Sequence, residues 1–286
     1  MNRGKTKKKE INAGLHSSQS VYRLPFTVYH EESLLTPLSI IGFWGYPDPE
    51  IISKLKHDFP NARWLDLDID FGYPDTNILP DAYCKIIKNI INNVIYLKED
   101  IFKVVATVGK DKCDSGWFAA QVLKDMGFDV IESAYEKLTP KNEIVISTSN
   151  LPLIEKVNMI MDGIIGKHET EDTAHSSQLT AHLTPSVPNF GFWGVPPNDL
   201  KILKLFPNDT HVFGWTRCVE AGTPADIELE MYVDKDIPTV FYSQAFCAKS
   251  QLAKYLAGKY NGLYVDIDDY ATNSITAKIE AFLRLR

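Results

Sequence analysis

The chain has 286 residues, 44% of them hydrophobic and 23% charged, a globular composition long enough to bury two modest cores. A net charge of −7 and a pI near 5.5 exclude a nucleic-acid surface spread over the folded body; they point to small molecules or proteins as partners, with self-association left open. No run of about 18 apolar residues offers a membrane span, and no apolar segment follows the basic cluster Arg3, Lys5, Lys7, Lys8 and Lys9 to complete a signal peptide, so a cytoplasmic protein without membrane contact is expected.

Residues 1–34 lack a sustained hydrophobic period and read as a mostly disordered basic tail that becomes ordered near Tyr22 to Tyr29. From Leu38 onward, short apolar runs alternate with amphipathic segments. Leu38 to Trp44 predicts a buried strand, and Ile51, Ile52, Leu55 and Phe59 predict a helix over Glu50 to Phe59. Further strands are predicted over Arg63 to Ile69, Phe102 to Val108, Phe128 to Glu132 and Glu143 to Thr148, with helices over Asp81 to Leu97, Ser115 to Met126 and Leu151 to Ile165. Together they define a first lobe over 35–165.

Residues 166–188 are polar and read as a linker; their His168, His175 and His182 lack the i, i+4 spacing of a helical metal-ligand pair. The second lobe, 189–286, repeats the plan more briefly. Strands are predicted over Asn189 to Trp193, His211 to Thr216, Thr239 to Ser243 and Gly262 to Ile267. Helices are predicted over Asp199 to Leu205, Pro224 to Val233, Ala248 to Lys259 and Ser274 to Leu285. Strands rich in Val and Ile that alternate with helices imply mostly parallel sheets covered on both faces, so the expected class is α/β with two tandem Rossmann-like lobes.

The lobes echo one another. Ile41-Gly42-Phe43-Trp44-Gly45-Tyr46-Pro47 returns as Phe190-Gly191-Phe192-Trp193-Gly194-Val195-Pro196, and Phe59-Pro60-Asn61 returns as Phe206-Pro207-Asn208. The first pair is offset by 149 (42 to 191) and the second by 147 (59 to 206), so a two-residue deletion separates the copies. The period is too long for a solenoid and reads as an internal duplication. Gly127 to Glu132 matches Gly262 to Ile267, and Cys113 and Cys247 fall at nearly the same offset, each just before a predicted helix.

Ligands of open parallel sheets bind outside the carboxyl ends of the strands, which fixes the loops to inspect. Gly45 and Gly194 would let the backbone approach a ligand on which Trp44 and Trp193 stack; alternatively, these aromatics pack the cores. In Gly109 to Gly116, Asp114 or Ser115 suits a helix N-cap, Lys112 suits an anion, and Cys113 at a helix start is a candidate nucleophile or metal ligand. In the second lobe, Cys247, Lys249 and Ser250 open a helix in the same way. Arg217 and Glu220 either orient a polar ligand or form a surface ion pair. Asp66, Asp68 and Asp70 alternate, and either bind a cation or act as acid and base on one strand face, or are solvated edge charges. The four cysteines form two pairs of equal spacing (84 to 113 and 218 to 247), which raises a shared iron–sulfur or zinc site, although Cys84 is expected to open a helix and Cys218 to end a strand.

Two local resemblances bear on the cofactor. Asp111-Lys112-Cys113-Asp114-Ser115-Gly116, followed by a helix and Gly127 to Ile131, resembles the Asp-x-His-x-x-Gly motif of cobalamin-binding domains, with a cysteine in place of the lower-ligand histidine. Ser243 to Ser250, with Asp266, Asp268 and Asp269 downstream, is similar to the phosphate loop of small P-loop kinases, but Ser243 and Ala248 replace its two glycines. These imply corrinoid or phosphate binding; the residues themselves leave the cofactor unknown. The expected function is binding of a small polar or anionic ligand between the lobes, with catalysis through Cys113, Asp114 and Cys247 in one version. A non-catalytic cofactor carrier and a pseudo-symmetric protein scaffold are the alternatives.

Overall fold

The computed structural model describes residues 39–81, 83–109, 112–136, 139–165, 183–223 and 226–286. The basic tail, Lys110, Asp111 and the three spaced histidines of the linker lie outside the described residues.

Two four-stranded sheets organise the chain, and every strand pair in both is parallel. The first contains β1 (Ile40–Trp44), β2 (Arg63–Asp66), β3 (Ile101–Thr107) and β4 (Val130–Ser133) in the order β2-β1-β3-β4. The second contains β5 (Phe190–Trp193), β6 (Thr210–Phe213), β7 (Thr239–Ser243) and β8 (Leu263–Asp266) in the equivalent order β6-β5-β7-β8. The fold is therefore α/β with two similar Rossmann-like lobes. The repeated aromatic turn ends β1 in one lobe and β5 in the other, and Phe59 and Phe206 each cap the helix that follows. The duplication itself is an inference from these repeated residues.

The helices of the first lobe are α1 (Pro49–Asp58), α2 (Lys85–Tyr96), α3 (Asp114–Asp125) and α4 (Leu153–Asp162). In the second lobe a 3₁₀ helix (Leu200–Leu205) stands where an α-helix is expected, followed by α5 (Trp215–Ala221), α6 (Ile227–Met231), α7 (Lys249–Lys259) and α8 (Asn273–Leu285). Asp48 starts α1 by accepting from the Glu50 N–H, and Thr272 starts α8 by accepting from the Ile275 N–H. Two expectations in this lobe need correction. The strand predicted to reach Thr216 stops at Phe213, because the chain turns at Gly214 into α5; Cys218 is therefore a helical residue and does not end a strand.

The fifth strand predicted over 143–148 does not form. Ser147 accepts a single bond from the Val212 N–H, and the backbone N–H groups of Val145, Ile146 and Ser147 all turn to the Glu220 carboxylate on α5. The apolar run Ile144-Val145-Ile146 has β propensity, but its ladder donors are taken by a side chain from the other lobe. Glu220 thus binds backbone instead of a ligand. Lys141 and Asn142 add bonds from the same segment to the carbonyl of Ala221.

α4 joins the lobes. Its apolar stripe Leu153, Val157, Ile160 and Ile164 has the i, i+4, i+7, i+11 spacing of one helix face, with Ile164 just beyond the helix end. Leu153 and Val157 pack into the core of the second sheet with Phe192, Val212 and Val240. Ile160 and Ile164 pack under the first sheet with Ile41, Phe43 and Val105, where Val219 of α5 joins them. Lys156, fully buried, donates to the carbonyls of Asn208 (2.9 Å) and Thr210 (2.7 Å). Residues 37–286 accordingly form one compact unit.

Replacing Glu220 with Ala leaves three backbone N–H groups without their acceptor, and each such group costs about 1–3 kcal/mol when water cannot replace it. Glu220→Ala is expected to destabilise the fold by about 2–4 kcal/mol in urea denaturation, and Glu220→Gln, which keeps one carbonyl acceptor, by roughly half as much. Equal stability of Glu220→Ala and wild type would show that the segment 145–147 is held by something else.

Candidate functional site

A sheet with strand order 2-1-3-4 has its topological switch between strands 1 and 3, where the following loops diverge and leave a crevice. In the first sheet this point lies between β1 and β3, and in the second between β5 and β7. The carboxyl-end loops of the two sheets are joined across the lobes. Cys84, at the start of α2, donates its thiol to the side-chain carbonyl of Gln244 in the loop after β7 (3.4 Å), and Lys85 pairs with Asp269 after β8 (3.1 Å).

Cys84 and Cys247 stand on the two sides of this seam, with Cys113 within electrostatic reach of both. Cys84 precedes α2, Cys113 precedes α3, and Cys247 lies one residue before the cap of α7. Burial pushes the Cys84 thiol up to about 11, with nearby Cys247 and Cys113 adding repulsion, while the N–H groups of Ile86 and Ile87 pull it down. Cys247 is also raised, first by burial and further by Cys113, against the N–H and charge of Lys249. Cys84 therefore feels both of the other thiols, and Cys247 feels Cys113. Cys113 is exposed, and Cys84 and Cys247 are half-buried.

These helices begin without the usual capping residues. Cys113, rather than the expected Asp114 or Ser115, is the N-cap of α3; neither it, nor Cys84 on α2, nor Ala248 on α7 makes a side-chain capping bond. First-turn N–H groups at three helix starts are left without that cap. Gln244 is fully buried beside them, and its amide nitrogen has no hydrogen-bond partner. At the start of α3, the Trp44 indole N–H faces Gly116, where an added Cβ would sit 3.4 Å away, and it too is unpaired, as is the nearby Thr107 hydroxyl.

The other expected site residues are distributed as follows. Gly45 (φ 67°) and Gly194 (φ 153°) do require backbone that L side chains resist, but their surroundings are protein: a Cβ at Gly45 would meet Thr107 at 3.0 Å, and one at Gly194 the Tyr242 carbonyl at 2.7 Å. Trp44 and Trp193 are core residues, 4% and 1% exposed, and the Trp193 indole donates to the Glu230 carbonyl. Lys112 and Ser115 are half-buried at the start of α3, with Asp114 exposed in its first turn. Arg217 stacks over Phe213 and Tyr232, its guanidinium carbon 5.4 and 4.7 Å from the ring centres.

The likeness to a phosphate loop does not extend to its geometry. Lys249 pairs with Glu230, the Ala245 N–H donates to the Asp268 carboxylate, and Cys247 turns back to the Gln244 carbonyl, so the backbone donors do not form a cradle. Ser250, 9% exposed, donates its N–H to the Cys247 carbonyl.

Asp66, Asp68 and Asp70 do not share a strand face, because β2 ends at Asp66. Asp68 instead accepts from the Gly45 N–H (3.1 Å), tying the end of β1 to the loop after β2. Asn89 and Asn93 on α2 hold the carbonyls of Leu67, Asp68 and Ile69 in the same loop. Burial pushes the Asp68 carboxyl up to about 6 despite the Gly45 bond, and Asp66 is raised by burial and by the charge of Asp68.

Local sequence offers Cys84 only as one of four cysteines of a shared iron–sulfur or zinc site, and does not single out Gln244. Cys84 was visible as a thiol at a helix start, but nothing local marked Gln244 as its partner 160 positions away. Among the described residues, no three His, Cys, Asp or Glu side chains converge on a single ion. A surface cavity of about 540 Å³ opens elsewhere, at the amino ends of the second sheet beside Asn189, Asp209, Asp236 and Arg286, away from the helix starts that would hold an anion. No protein-family model matches the chain, and none of the curated proteins compared with it is detectably similar.

The Asp68 geometry gives a pH test. A carboxyl raised from about 4 to about 6 contributes stability that is complete below pH 4 and lost as pH rises through 6. Asp68→Asn keeps an acceptor for Gly45 but cannot ionise. Its stability relative to wild type is expected to improve by about 1–3 kcal/mol between pH 4 and pH 7.5, read from urea midpoints. Parallel pH profiles would show that Asp68 is solvated.

Proposed function

We propose that the protein binds a small polar or anionic ligand of cofactor type in the seam between its lobes, at the carboxyl ends of the two parallel sheets. The observation that carries this reading is the contact between the uncapped helix start at Cys84 in one lobe and the buried Gln244 of the other, whose backbone carbonyl accepts from the Cys247 N–H just before a second uncapped helix start. Helix starts attract negative charge through their unpaired N–H groups and dipoles. A site divided between lobes encloses its ligand, and the thiols supply the chemistry.

Within this reading Cys113 is the accessible nucleophile or ligand, with Cys247 its counterpart in the second lobe and Asp114 beside it as a proton acceptor. Lys112, Ser115, Lys249 and Ser250 flank the same helix starts, and Arg217 lies farther along the second lobe. Turnover of the ligand makes the protein an enzyme, and retention without turnover makes it a carrier. Four free thiols support a reducing, cytoplasmic setting. Among the described residues, no helix is long and apolar enough to cross a membrane.

Pyrophosphate, ATP and citrate serve as anionic probes for the full chain without added metal. At about 100 times its dissociation constant a bound probe adds about 2.7 kcal/mol, a rise of several degrees in Tm. The expected outcome is such a rise for at least one probe, slower alkylation of Cys113 in its presence, and about tenfold weaker binding in Lys249→Met. No thermal shift and no protection of Cys113 with any probe would remove the reading.

A further inference from the structure

We propose that the first turn of α3, together with the Trp44 indole and the Thr107 hydroxyl, is a binding site for a phosphoryl group, set at the switch point of the first sheet. The inference deepens the function proposed above: it rests on an anionic ligand at the seam and assigns its phosphoryl group to one lobe.

The strand order brings these residues together. Trp44 ends β1 and Thr107 ends β3, and the two strands are neighbours, with Trp44 in register with Ala106. α3 follows β3, and its first turn lies over the same strand ends. The Trp44 ring packs in the core, 4% exposed, but its N–H edge reaches that turn. A Cβ on Gly116 would lie 3.4 Å from the indole nitrogen and 3.9 Å from the Thr107 carbonyl. Among the described residues, neither the indole N–H nor the hydroxyl of Thr107, 8% exposed, has a hydrogen-bond partner. Two buried polar groups left unanswered are costly, and both border a helix start that no side chain caps. The N–H groups and dipole of such a start favour negative charge. Cys113 and Asp114, on the same turn, are exposed, so the turn reaches solvent.

The second lobe has the same layout, with its needs met from within the chain. Trp193, which ends β5 as Trp44 ends β1, donates its indole N–H to the Glu230 carbonyl at 2.7 Å. The Glu230 carboxylate pairs with Lys249, the first residue of α7, and α7 follows β7 as α3 follows β3. One residue thus supplies an acceptor to the indole and a negative charge to the helix start. The first turn of α7, Lys249-Ser250-Gln251, carries side chains throughout, whereas α3 has Gly116 in that turn. Glu230 therefore stands in for the group that the first lobe takes from solution. Its carbonyl and carboxylate divide the task between them; a tetrahedral oxyanion has enough oxygens to serve an indole, a hydroxyl and a helix start at once.

Inorganic phosphate and AMP present the group as a free ion and as an ester, and binding of either supports the site and says which form it takes. In the isotopically labelled full-length chain, the Trp44 indole resonance, identified by its loss in Trp44→Phe, is expected to shift on titration with the probe that binds. Gly116→Ala places a methyl group in front of the indole at 3.4 Å, an ordinary contact distance. It is expected to hold or raise Tm, since alanine suits a helix better than glycine, yet to weaken binding by about tenfold or more. Thr107→Val keeps the side-chain shape without the hydroxyl and is expected to weaken binding by about tenfold. Circular dichroism and Tm of each ligand-free variant separate loss of the site from loss of the fold. An unmoved Trp44 resonance, unchanged binding in a folded Gly116→Ala, or loss of binding confined to Lys249→Met overturns the assignment. A thermal shift with an anionic probe but an unmoved Trp44 resonance removes this inference alone; no shift with any probe removes the underlying reading as well.

Discussion

A parallel sheet leaves two apolar faces to be covered, and in this protein the lobes share the means of covering them. The stripe Leu153, Val157, Ile160 and Ile164 divides along its length: its first half serves the second sheet and its second half the first. Fully burying side chains of this size contributes about 1.5–3 kcal/mol each. The stripe cannot give up one lobe without exposing half of that contribution. Lys156 reinforces the docking from the same helix, since its ammonium has two carbonyl partners in the second lobe; burial nonetheless lowers it to about 8. The carboxyl ends of the sheets meet at the seam because this shared helix and the Glu220 clasp hold the lobes together.

The clasp also explains where local sequence was misleading. Ile144-Val145-Ile146 is as strand-like as any run in the chain, but the Glu220 carboxylate, 73 to 75 positions later, takes the N–H groups of Val145, Ile146 and Ser147. Propensity describes what a segment does with water or an identical strand as competitor. It does not register a carboxylate delivered by a distant helix. The same distinction applies to the aromatic turns. Their recurrence correctly marked the ends of β1 and β5, where both lobes bend, but their glycines make room for neighbouring protein atoms, and their tryptophans are packed inside.

The sheets were legible because alternation of apolar runs with amphipathic segments depends on burial, which is a property of each residue and its near neighbours. The candidate site was legible in part. Cys113 and Cys247 stood out from their matched positions before helices. Cys84 carries the same mark within a regular spacing that groups it with all three other cysteines, Cys218 included, and Gln244 has no mark at all. Its importance comes from complete burial with an unanswered amide nitrogen, a property that exists only once both lobes are in place. Asp66, Asp68 and Asp70 illustrate the reverse case: a regular spacing that implied one shared face was broken by the end of the strand at Asp66.

The Cys84 to Gln244 contact has a thermodynamic corollary. Since it bridges the two lobes, any agent that bonds to sulfur on both sides must favour the closed arrangement over one in which the lobes part. By linkage, whatever prises the lobes apart weakens the hold on that agent by the same factor. For any such agent, parting of the lobes and loss of its sulfur contacts would be two readings of a single equilibrium, and a substitution in the α4 stripe, remote from the sulfurs, would alter its affinity without touching it.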